Sequence, residues 1–331
     1  MMADGRDMAG DRSAESLAAI GEFAVIDQVV AGRQQPPLVL LGPGDDAAVV
    51  AAVDGRTVVC TDMLVEGRHF RLDWSTPHDV GRKAIAQNAA DVEAMGGRAT
   101  AFVVAFGAPG DTAAAQAIEL SDGMWHEAER IGAGIVGGDM VQAPQWVVSV
   151  AALGDLGGLD TVRRSGAKLG DTVAVIGHLG HSAAGFMLWH NEISEFEDLR
   201  QRHLVPEPPY GQGVIAARAG ATSMTDVSDG LLADLGHIAS ASNVRIDVSA
   251  TSLRHDVDAL AAAALRLEID PWQWVLGGGE DHALVATFPA EAPPGWRPIG
   301  TVVDARVVGD GAPRVTVDGA AWDGTAGWQS Y

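Results

Sequence analysis

Residues 79–97 read Asp-Val-Gly-Arg-Lys-Ala-Ile-Ala-Gln-Asn-Ala-Ala-Asp-Val-Glu-Ala-Met-Gly-Gly, and they are the most informative segment for the architecture. Apolar residues recur at helical spacing up to Met95, and the Gly96-Gly97 pair is a typical helix stop, so we predict a helix from Asp79 to Met95. The short apolar runs on either side, Thr57–Cys60 and Thr100–Phe106, each indicate a strand. Strands that alternate with helices are typical of an α/β fold.

The same alternation continues through the rest of the chain. Further predicted helices are Ser16–Ala31, Thr112–Ile131, Ser182–His190 and Asp229–Ser240. Further predicted strands are Leu38–Leu41, Ala47–Ala52, Gln145–Leu153, Thr172–Ile176, Arg245–Val248, Ala283–Phe288 and Arg314–Val317. Pro293-Pro294 is predicted to open an irregular connection that runs to Ile299. The predicted fold class is therefore α/β (α+β).

The length of the chain predicts two domains. It has 331 residues, and a domain commonly takes about 150. Residues 154–158 form a glycine-rich break, and we place the boundary there. The predicted divisions are a polar, disordered tail over residues 1–15, an N-terminal domain over residues 16–155 and a C-terminal domain over residues 156–331.

The composition disfavours several classes of function. The chain has 22 Lys plus Arg against 44 Asp plus Glu, a formal net charge of −22. Such a surface repels nucleic acid and anionic lipid, so we expect neither as a partner. The N-terminal residues lack signal-peptide character, and no run is long enough to span a bilayer, so we expect a cytoplasmic protein. Cys60 is the only cysteine, which excludes an intrachain disulfide.

Two common nucleotide-binding motifs do not account for this chain. Residues 132–137 match the Gly-x-Gly-x-x-Gly dinucleotide fingerprint, but they follow a predicted helix instead of a strand, the reverse of the order that the fingerprint needs. A phosphate loop with Gly-Lys-Ser or Gly-Lys-Thr does not occur in the sequence. A Rossmann-type oxidoreductase is therefore the least favoured interpretation.

Aspartates beside glycines or at the ends of apolar runs are the main chemical signal. Any single one could be ordinary turn chemistry. Asp91, however, lies in an alanine-rich helix, where a carboxylate is costly unless it is paired or holds a cation. Because lysine and arginine are scarce, Mg²⁺ is the natural partner of such carboxylates. The stretches concerned are Gly44-Asp45-Asp46, Thr61-Asp62, Asn88-Ala-Ala-Asp91, Gly137-Gly138-Asp139 and Asp226-Val-Ser228-Asp229-Gly230.

These stretches, taken in order, resemble the thiamine-monophosphate kinase family. The resemblance is also carried by Gly21-Glu22-Phe23, by the run from Thr61 to Phe70, by Arg164-Ser165-Gly166-Ala167, by Gly278-Gly279-Glu280-Asp281 and by Gly327-Trp328. It covers residues 21–331. The wider superfamily includes aminoimidazole ribonucleotide synthetase, selenophosphate synthetase and a hydrogenase-maturation factor. The resemblance implies a two-domain, aminoimidazole ribonucleotide synthetase-like fold, in which the N-terminal sheet domain pairs in a homodimer and the C-terminal α/β domain completes the active site.

The resemblance also implies a reaction and a set of site residues. ATP would donate its γ-phosphate to thiamine monophosphate, with several Mg²⁺ ions and, as a further candidate, a monovalent cation such as K⁺. No general base is needed, because the acceptor phosphate is already an oxyanion. The implied metal ligands are Asp46, Thr61, Asp62, Asp91, Asp139, Asp226 and Asp229, with the backbone carbonyl of Cys60. The implied ATP contacts are Gly138, Asp139, Arg164 and Ser228, and the implied contacts to the thiamine part are His69, Glu280 and Trp328.

Other interpretations of these residues stay open at this level. His69 could be a hydrogen-bonded, half-buried histidine, Arg164 a solvated arginine, and Trp328 an anchor for the C-terminus. The three glycines before Glu280 indicate a close backbone approach. Ala90, Cys60 and His282-Ala283 depart from the usual family pattern of serine, serine and Tyr-Glu. The alternative functions are a superfamily member with another acceptor, and a non-enzymatic protein that binds divalent metal.

Overall fold

The computed structural model describes residues 16–20, 22–43, 47–304, 314–324 and 327, and helices alternate with strands along them. In the N-terminal half these are α1 (Leu17–Ile20), α2 (Glu22–Val30), β1 (Val39–Leu41), β2 (Val49–Val50), β3 (Val58–Val65), α3 (Pro77–Ala94), β4 (Arg98–Ala108), α4 (Ala114–Ile131), β5 (Gly134–Gln142) and β6 (Val147–Asp155). In the C-terminal half they are β7 (Thr172–Ile176), α5 (His181–His190), α6 (Glu197–Leu204), α7 (Gln212–Arg218), β8 (Ser223–Asp226), α8 (Leu231–Ser242), β9 (Arg245–Val248), α9 (Arg254–Leu267), α10 (Pro271–Gly277), β10 (Leu284–Phe288), β11 (Arg297–Val303) and β12 (Val315–Val317). The mixed helix and sheet content confirms the predicted fold class.

Helix α3 begins and ends where its sequence dictates. The Thr76 hydroxyl accepts the Asp79 N–H at 3.1 Å, while the Asp79 carboxylate accepts the Thr76 N–H at 3.1 Å, which forms a capping box. Pro77 occupies the first turn, where its missing N–H costs nothing. Gly96 follows the helix at φ 79°, a conformation that favours glycine. The helix predicted from Asp79 is confirmed, and it starts two residues earlier, at Pro77.

The N-terminal half is a four-stranded sheet with helices on one face. The strand order is β3-β6-β4-β5, with β4 and β5 parallel and the other pairs antiparallel. Helices α3 and α4 pack on the inner face, over buried side chains such as Leu64 and Phe102. Side chains alternate between faces along a strand, so Val59, Met63 and Val103 project from the outer face. These three side chains are 66%, 52% and 39% exposed, so the described residues of the chain leave this apolar part of the sheet face uncovered.

The C-terminal half is a six-stranded sheet in the order β12-β9-β11-β7-β10-β8. Pairing is antiparallel except between β12 and β9. The irregular connection predicted at Pro293-Pro294 is present, and it ends at Trp296, because β11 begins at Arg297 and pairs with both β7 and β9. The pairing with β7 shifts register between Pro298 and Gly300, and this irregularity accommodates the proline within the sheet.

Helices α3 and α4 attach the two halves to each other. The Glu93 carboxylate of α3 accepts the N–H groups of Gly211 and Gly213, both at 2.8 Å, at the start of α7. The Tyr210 hydroxyl donates to Glu127 of α4 at 2.8 Å. Burial raises the pKa of Glu93 to about 7 despite these hydrogen bonds. The predicted boundary at residues 155–156 stays a prediction, although β6 ends at Asp155.

A search of the helices in the described part of the chain finds none with the length and apolar character needed to cross a membrane.

Candidate active site

Three aspartates from separate elements meet between the two halves. Asp62 comes from β3, Asp91 from α3 and Asp226 from the end of β8. Burial, together with the negative charges of Asp226 and Asp62, raises the pKa of Asp91 to about 7. The pKa of Asp62 is also raised, mainly by burial and in addition by Asp226. These carboxylates therefore crowd one another, as they would in a site built for a cation.

Asn88 places Asp62 against helix α3. Its side-chain oxygen accepts the Asp62 N–H at 3.0 Å, and its amide donates to the Ala84 carbonyl at 2.9 Å. Asn88 is fully buried, one turn before Asp91 on the same helix. The Asn-x-x-Asp spacing thus brings the strand aspartate and the helix aspartate to one place.

His282 is the hydrogen-bond partner of Asp226. Its Nδ1 lies 3.0 Å from Asp226 Oδ2, and both side chains are buried. Burial alone would lower the pKa of His282, but the hydrogen bond and charge of Asp226 raise it. This histidine stands where the family usually has tyrosine. One imidazolium cannot balance three carboxylates, so Asp62, Asp91 and Asp226 fit a hard divalent cation as an additional partner.

A second acidic group lies at the start of helix α8. Asp229, Asp234 and His237 each offer a ligand atom, and these atoms all lie within 4.8 Å of one another. Asp234 accepts the N–H groups of Asp229 and Gly230 at 3.1 and 3.0 Å, and burial raises its pKa to about 7. Sequence reasoning found Asp229 but missed Asp234 and His237. Their i, i+3 spacing on one helix was the available signal.

Cys60 lies beside Asp62 and Asp91 as a neutral thiol. Its sulfur donates to the Asn88 carbonyl at 3.4 Å, and burial raises the thiol pKa far above its usual range. A protonated thiol is neither a nucleophile nor a ligand for Mg²⁺. The side chain of Cys60 therefore has a packing role, and its proposed metal contact through the backbone carbonyl stays a prediction.

Thr61, Gly138 and Asp139 are not brought to the aspartate cluster within one chain. Asp62 pairs with Val150, which pairs with Val104, which in turn pairs with Gly138, three strand spacings or about 14 Å away. Thr61 and Asp139 are exposed on the outer face, where Asp139 accepts the Met140 N–H at 2.9 Å. Asp62 and Asp139 of one chain are too far apart to share one Mg²⁺ ion.

Ser228 and Arg164 belong to the C-terminal half and lie near Asp226. The Arg164 Nε donates to the Thr225 hydroxyl at 3.3 Å, and the Ser228 carbonyl accepts the Glu280 N–H at 2.8 Å. A Cβ on Gly279 would come within 2.4 Å of that same carbonyl. The close backbone approach indicated by the three glycines is confirmed.

Asp281 fixes the other side of the glycine loop. Its carboxylate accepts the N–H groups of Gly180 and Ser182 at 2.5 and 2.8 Å, at the start of α5. Burial raises its pKa to about 7 despite these bonds. Glu280 and His282, on either side, both have positive φ angles, 63° and 53°. Such angles are unfavourable for these residues, and the surrounding contacts maintain them.

His69 and Glu280 lie close together although they come from different halves. The Val65 N–H donates to His69 Nδ1 at 3.0 Å, so the ring carries its proton on Nε2. The Glu280 carboxylate is 3.1 Å from the Lys83 ammonium, which also donates to the His69 carbonyl at 3.0 Å. Sequence reasoning gave Lys83 no role in the site, because only the tertiary structure shows these contacts. Asp46 and Trp328 lie outside the described residues.

The domain models that match the chain cover most of its length. Residues 44–156 match the AIR synthase related protein, N-terminal domain, and residues 168–308 match the AIR synthase related protein, C-terminal domain. The chain is 67% identical over 316 residues to the thiamine-monophosphate kinase of Mycobacterium tuberculosis, across 96% of this chain and 93% of that relative. It is 36% identical over 287 residues to the Escherichia coli K12 thiamine-monophosphate kinase, across 82% and 83% respectively.

Solved structures show the same similarity. The thiamine-monophosphate kinase from Stenotrophomonas maltophilia matches with a TM-score of 0.78 at 33% identity, over 91% of this chain and 98% of that one. AaThiL complexed with AMPPCP and TMP matches with a TM-score of 0.74 at 30% identity, over 94% and 97%.

Proposed function

This chain belongs to the thiamine-monophosphate kinase family, and we propose that it transfers the γ-phosphate of ATP to thiamine monophosphate, which gives thiamine diphosphate and ADP. The complex of AaThiL with AMPPCP, an ATP analogue, and TMP supports this pair of reactants. The observation that carries the proposal is the convergence of Asp62, Asp91 and Asp226 beside Glu280 and His69. This convergence supports a cation site next to residues suited to an acceptor.

The aspartates account for how an acidic protein handles two anionic reactants. Asp62, Asp91 and Asp226 would hold Mg²⁺ in the cleft, and Asp229 with Asp234 offers further carboxylates at its C-terminal side. When bound, Mg²⁺ supplies positive charge that offsets the charge of the phosphate oxygens during transfer. Asn88 holds the backbone of Asp62, and His282 orients the carboxylate of Asp226. Several Mg²⁺ ions, and a K⁺ ion, remain part of the proposal.

His69 and Glu280 suit the acceptor. The Nε2–H of His69 is a donor for a phosphate oxygen or a ring nitrogen, and the Glu280 carboxylate is an acceptor that can also attract the thiazolium cation. The acceptor phosphate attacks as an oxyanion, so no side chain has to remove a proton. Trp328 stays a predicted stacking partner for the thiamine rings.

The outer face of the N-terminal sheet supports a homodimer. Val59, Met63 and Val103 are exposed there, and a second copy would bury them. Thr61 and Asp139 share this face, so sheet pairing would also enclose two predicted metal ligands. Gly138, Asp139, Arg164 and Ser228 as ATP contacts, and a cytoplasmic location, stay predictions.

Product formation tests the proposal. We expect the purified protein to convert thiamine monophosphate to thiamine diphosphate in the presence of ATP and Mg²⁺, as measured by chromatography. A panel of other phosphate monoesters tests the alternative of a superfamily member with another acceptor. ATP turnover with one of those acceptors, and none with thiamine monophosphate, would favour that alternative. Metal binding without any ATP turnover would favour the non-enzymatic one.

A further inference from the structure

Lys83 is a fully buried cation that the phosphate chemistry above does not use. It lies in the middle of α3, it is one of two lysines in the chain, and its side chain is 2% exposed. Its ammonium group lies 3.0 Å from the His69 carbonyl, 3.4 Å from the His203 carbonyl and 3.1 Å from Glu280 Oε1. An ammonium has three N–H donors, so these three acceptors satisfy it completely.

Two of these three hydrogen-bond acceptors belong to residues that are predicted to contact thiamine. His69 follows β3 in the N-terminal half, and Glu280 lies in the glycine loop of the C-terminal half. The third, His203, belongs to α6, and its ring Nδ1 is 3.7 Å from the other Glu280 oxygen and 3.1 Å from the Ser182 hydroxyl. The Lys83 ammonium group therefore links His69 of the N-terminal half to Glu280 of the C-terminal half.

Both residues are also held at a second point, and among the described residues each still presents a polar group that a ligand can reach. The Val65 N–H holds the His69 ring through Nδ1, which leaves Nε2 to donate. The Glu280 N–H donates to Ser228, while its carboxylate remains 36% exposed. Lys83 thus fixes the inner side of each residue and leaves the outer side for a ligand.

The charge of Lys83 favours the ionised form of Glu280. Burial and the Lys83 charge lower the pKa of His203 to about 4, so that ring is neutral at physiological pH. Burial alone would raise the pKa of Glu280, but the charge of Lys83 and its hydrogen bond lower it. Without the ammonium, a partly buried carboxylate in this position would tend to take up a proton.

We propose that Lys83 is a positioning residue for the acceptor site, which holds His69 and Glu280 in the one arrangement that thiamine monophosphate binds. This inference rests on the proposed function, and it adds that acceptor affinity depends on a buried cation that does not touch the acceptor. The ATP side, formed by other residues, does not depend on Lys83.

Steady-state kinetics of Lys83→Met test this role, because methionine is an unbranched side chain only one atom shorter than lysine and carries no charge. We expect the KM for thiamine monophosphate to rise about 10-fold or more, the effect of losing a charged hydrogen bond, while the KM for ATP changes less than about 3-fold. Lys168→Met removes the exposed lysine and is the matched control, with both constants unchanged. Because Lys83 acts partly through Glu280, the Lys83→Met, Glu280→Gln double variant should lose less than the sum of the losses of the two single variants.

Lysine-labelled protein provides a second measurement if Lys83→Met does not fold. Two ammonium signals are expected in the NMR spectrum, and both thiamine monophosphate and Glu280→Gln should shift that of Lys83 and leave that of Lys168 in place. An unmoved Lys83 signal, equal damage to both KM values, or fully additive effects in the double variant would overturn the inference. Wild-type protein that makes no thiamine diphosphate would overturn the proposed function as well, whereas active wild type with an unchanged KM in Lys83→Met would overturn only the role of Lys83.

Discussion

At the scale of single residues, the environment of a side chain decides whether it takes part in chemistry. Asp91 and Cys60 lie close enough to share a hydrogen bond, and burial raises the pKa of both side chains, but the consequences differ. It raises the pKa of Asp91 to about 7, where a cation can still hold the carboxylate ionised. It keeps the Cys60 thiol protonated. The carboxylate is therefore suited to metal binding and the thiol is not.

Cys60→Ser should keep most of the activity. A serine hydroxyl can donate to the Asn88 carbonyl as the thiol does, and the backbone carbonyl of residue 60 is unchanged. We expect kcat and both KM values within about 3-fold of wild type, since losing one weak contact costs under about 1 kcal/mol. Steady-state assays check this prediction, and complete loss of activity in Cys60→Ser would indicate covalent chemistry at the sulfur.

At the scale of elements, the glycine loop at residues 277–281 brings Glu280 to the cleft. Its backbone lies against Ser228, and Asp281 ties it to the start of α5. No side chain fits between Gly279 and the Ser228 carbonyl. The composition of this loop follows from packing as much as from substrate contact.

Gly279→Ala should displace the loop. The added methyl would come within 2.4 Å of the Ser228 carbonyl, and such overpacking costs about 1–3 kcal/mol. We expect a lower Tm and a higher KM for thiamine monophosphate. Gly236→Ala is the matched control, because that glycine lies in α8 with no atom within 4 Å of the added Cβ, and alanine should stabilise the helix. Thermal melts that rank the two variants in the opposite order would contradict this account of the loop.

Elements with a clear apolar pattern were predictable, including short strands such as β7 and β9, and elements with a polar or irregular sequence were not. Helices α3 and α4 have 18 residues each, so their apolar spacing repeats often enough to identify them. Strand β11 was missed because Pro298 and Gly300 are typical of loops, and only pairing on both sides makes this segment a strand. Strand β8 was missed because its four residues read Ser-Met-Thr-Asp, in which only one side chain is apolar.

The site was predictable only in part, for a similar reason. Asp62, Asp91 and Asp226 could be found because each aspartate stands in an unusual local setting or a family motif. Lys83, Asp234 and His203 could not, because their sequence neighbours look ordinary. Their roles arise from contacts between residues far apart in the chain, such as the 3.1 Å approach of Lys83 to Glu280.

At the scale of the whole molecule, several buried carboxylates make stability depend on pH. The pKa values of Asp91, Glu93, Asp234 and Asp281 are all raised to about 7 by burial. The folded protein therefore binds more protons than the unfolded chain between about pH 4 and pH 7. Their contribution is fully present at low pH, and it is lost as the pH rises through 7.

Metal-free protein should therefore melt at lower temperature at pH 8 than at pH 5. A pKa raised by one unit corresponds to about 1.4 kcal/mol, so we expect a fall in Tm on the order of 5 °C or more. Mg²⁺ should restore more of the Tm at pH 8 than at pH 5, because ionised carboxylates bind it better. Thermal melts in chelator and in Mg²⁺ across this range make the comparison. A metal-free Tm that is level or rises with pH would contradict the assignment.

The central claim is that carboxylates from both halves hold the metal ions that permit phosphoryl transfer. The most direct test is the rate of thiamine diphosphate formation against Mg²⁺ concentration for wild type, Asp91→Asn and Asp258→Asn, an exposed aspartate of α9 that serves as the control. The account predicts that Asp91→Asn loses about 100-fold or more in turnover at millimolar Mg²⁺, while it melts no lower than wild type without metal and the control stays fully active. Near-normal turnover of Asp91→Asn at modest Mg²⁺ would contradict it.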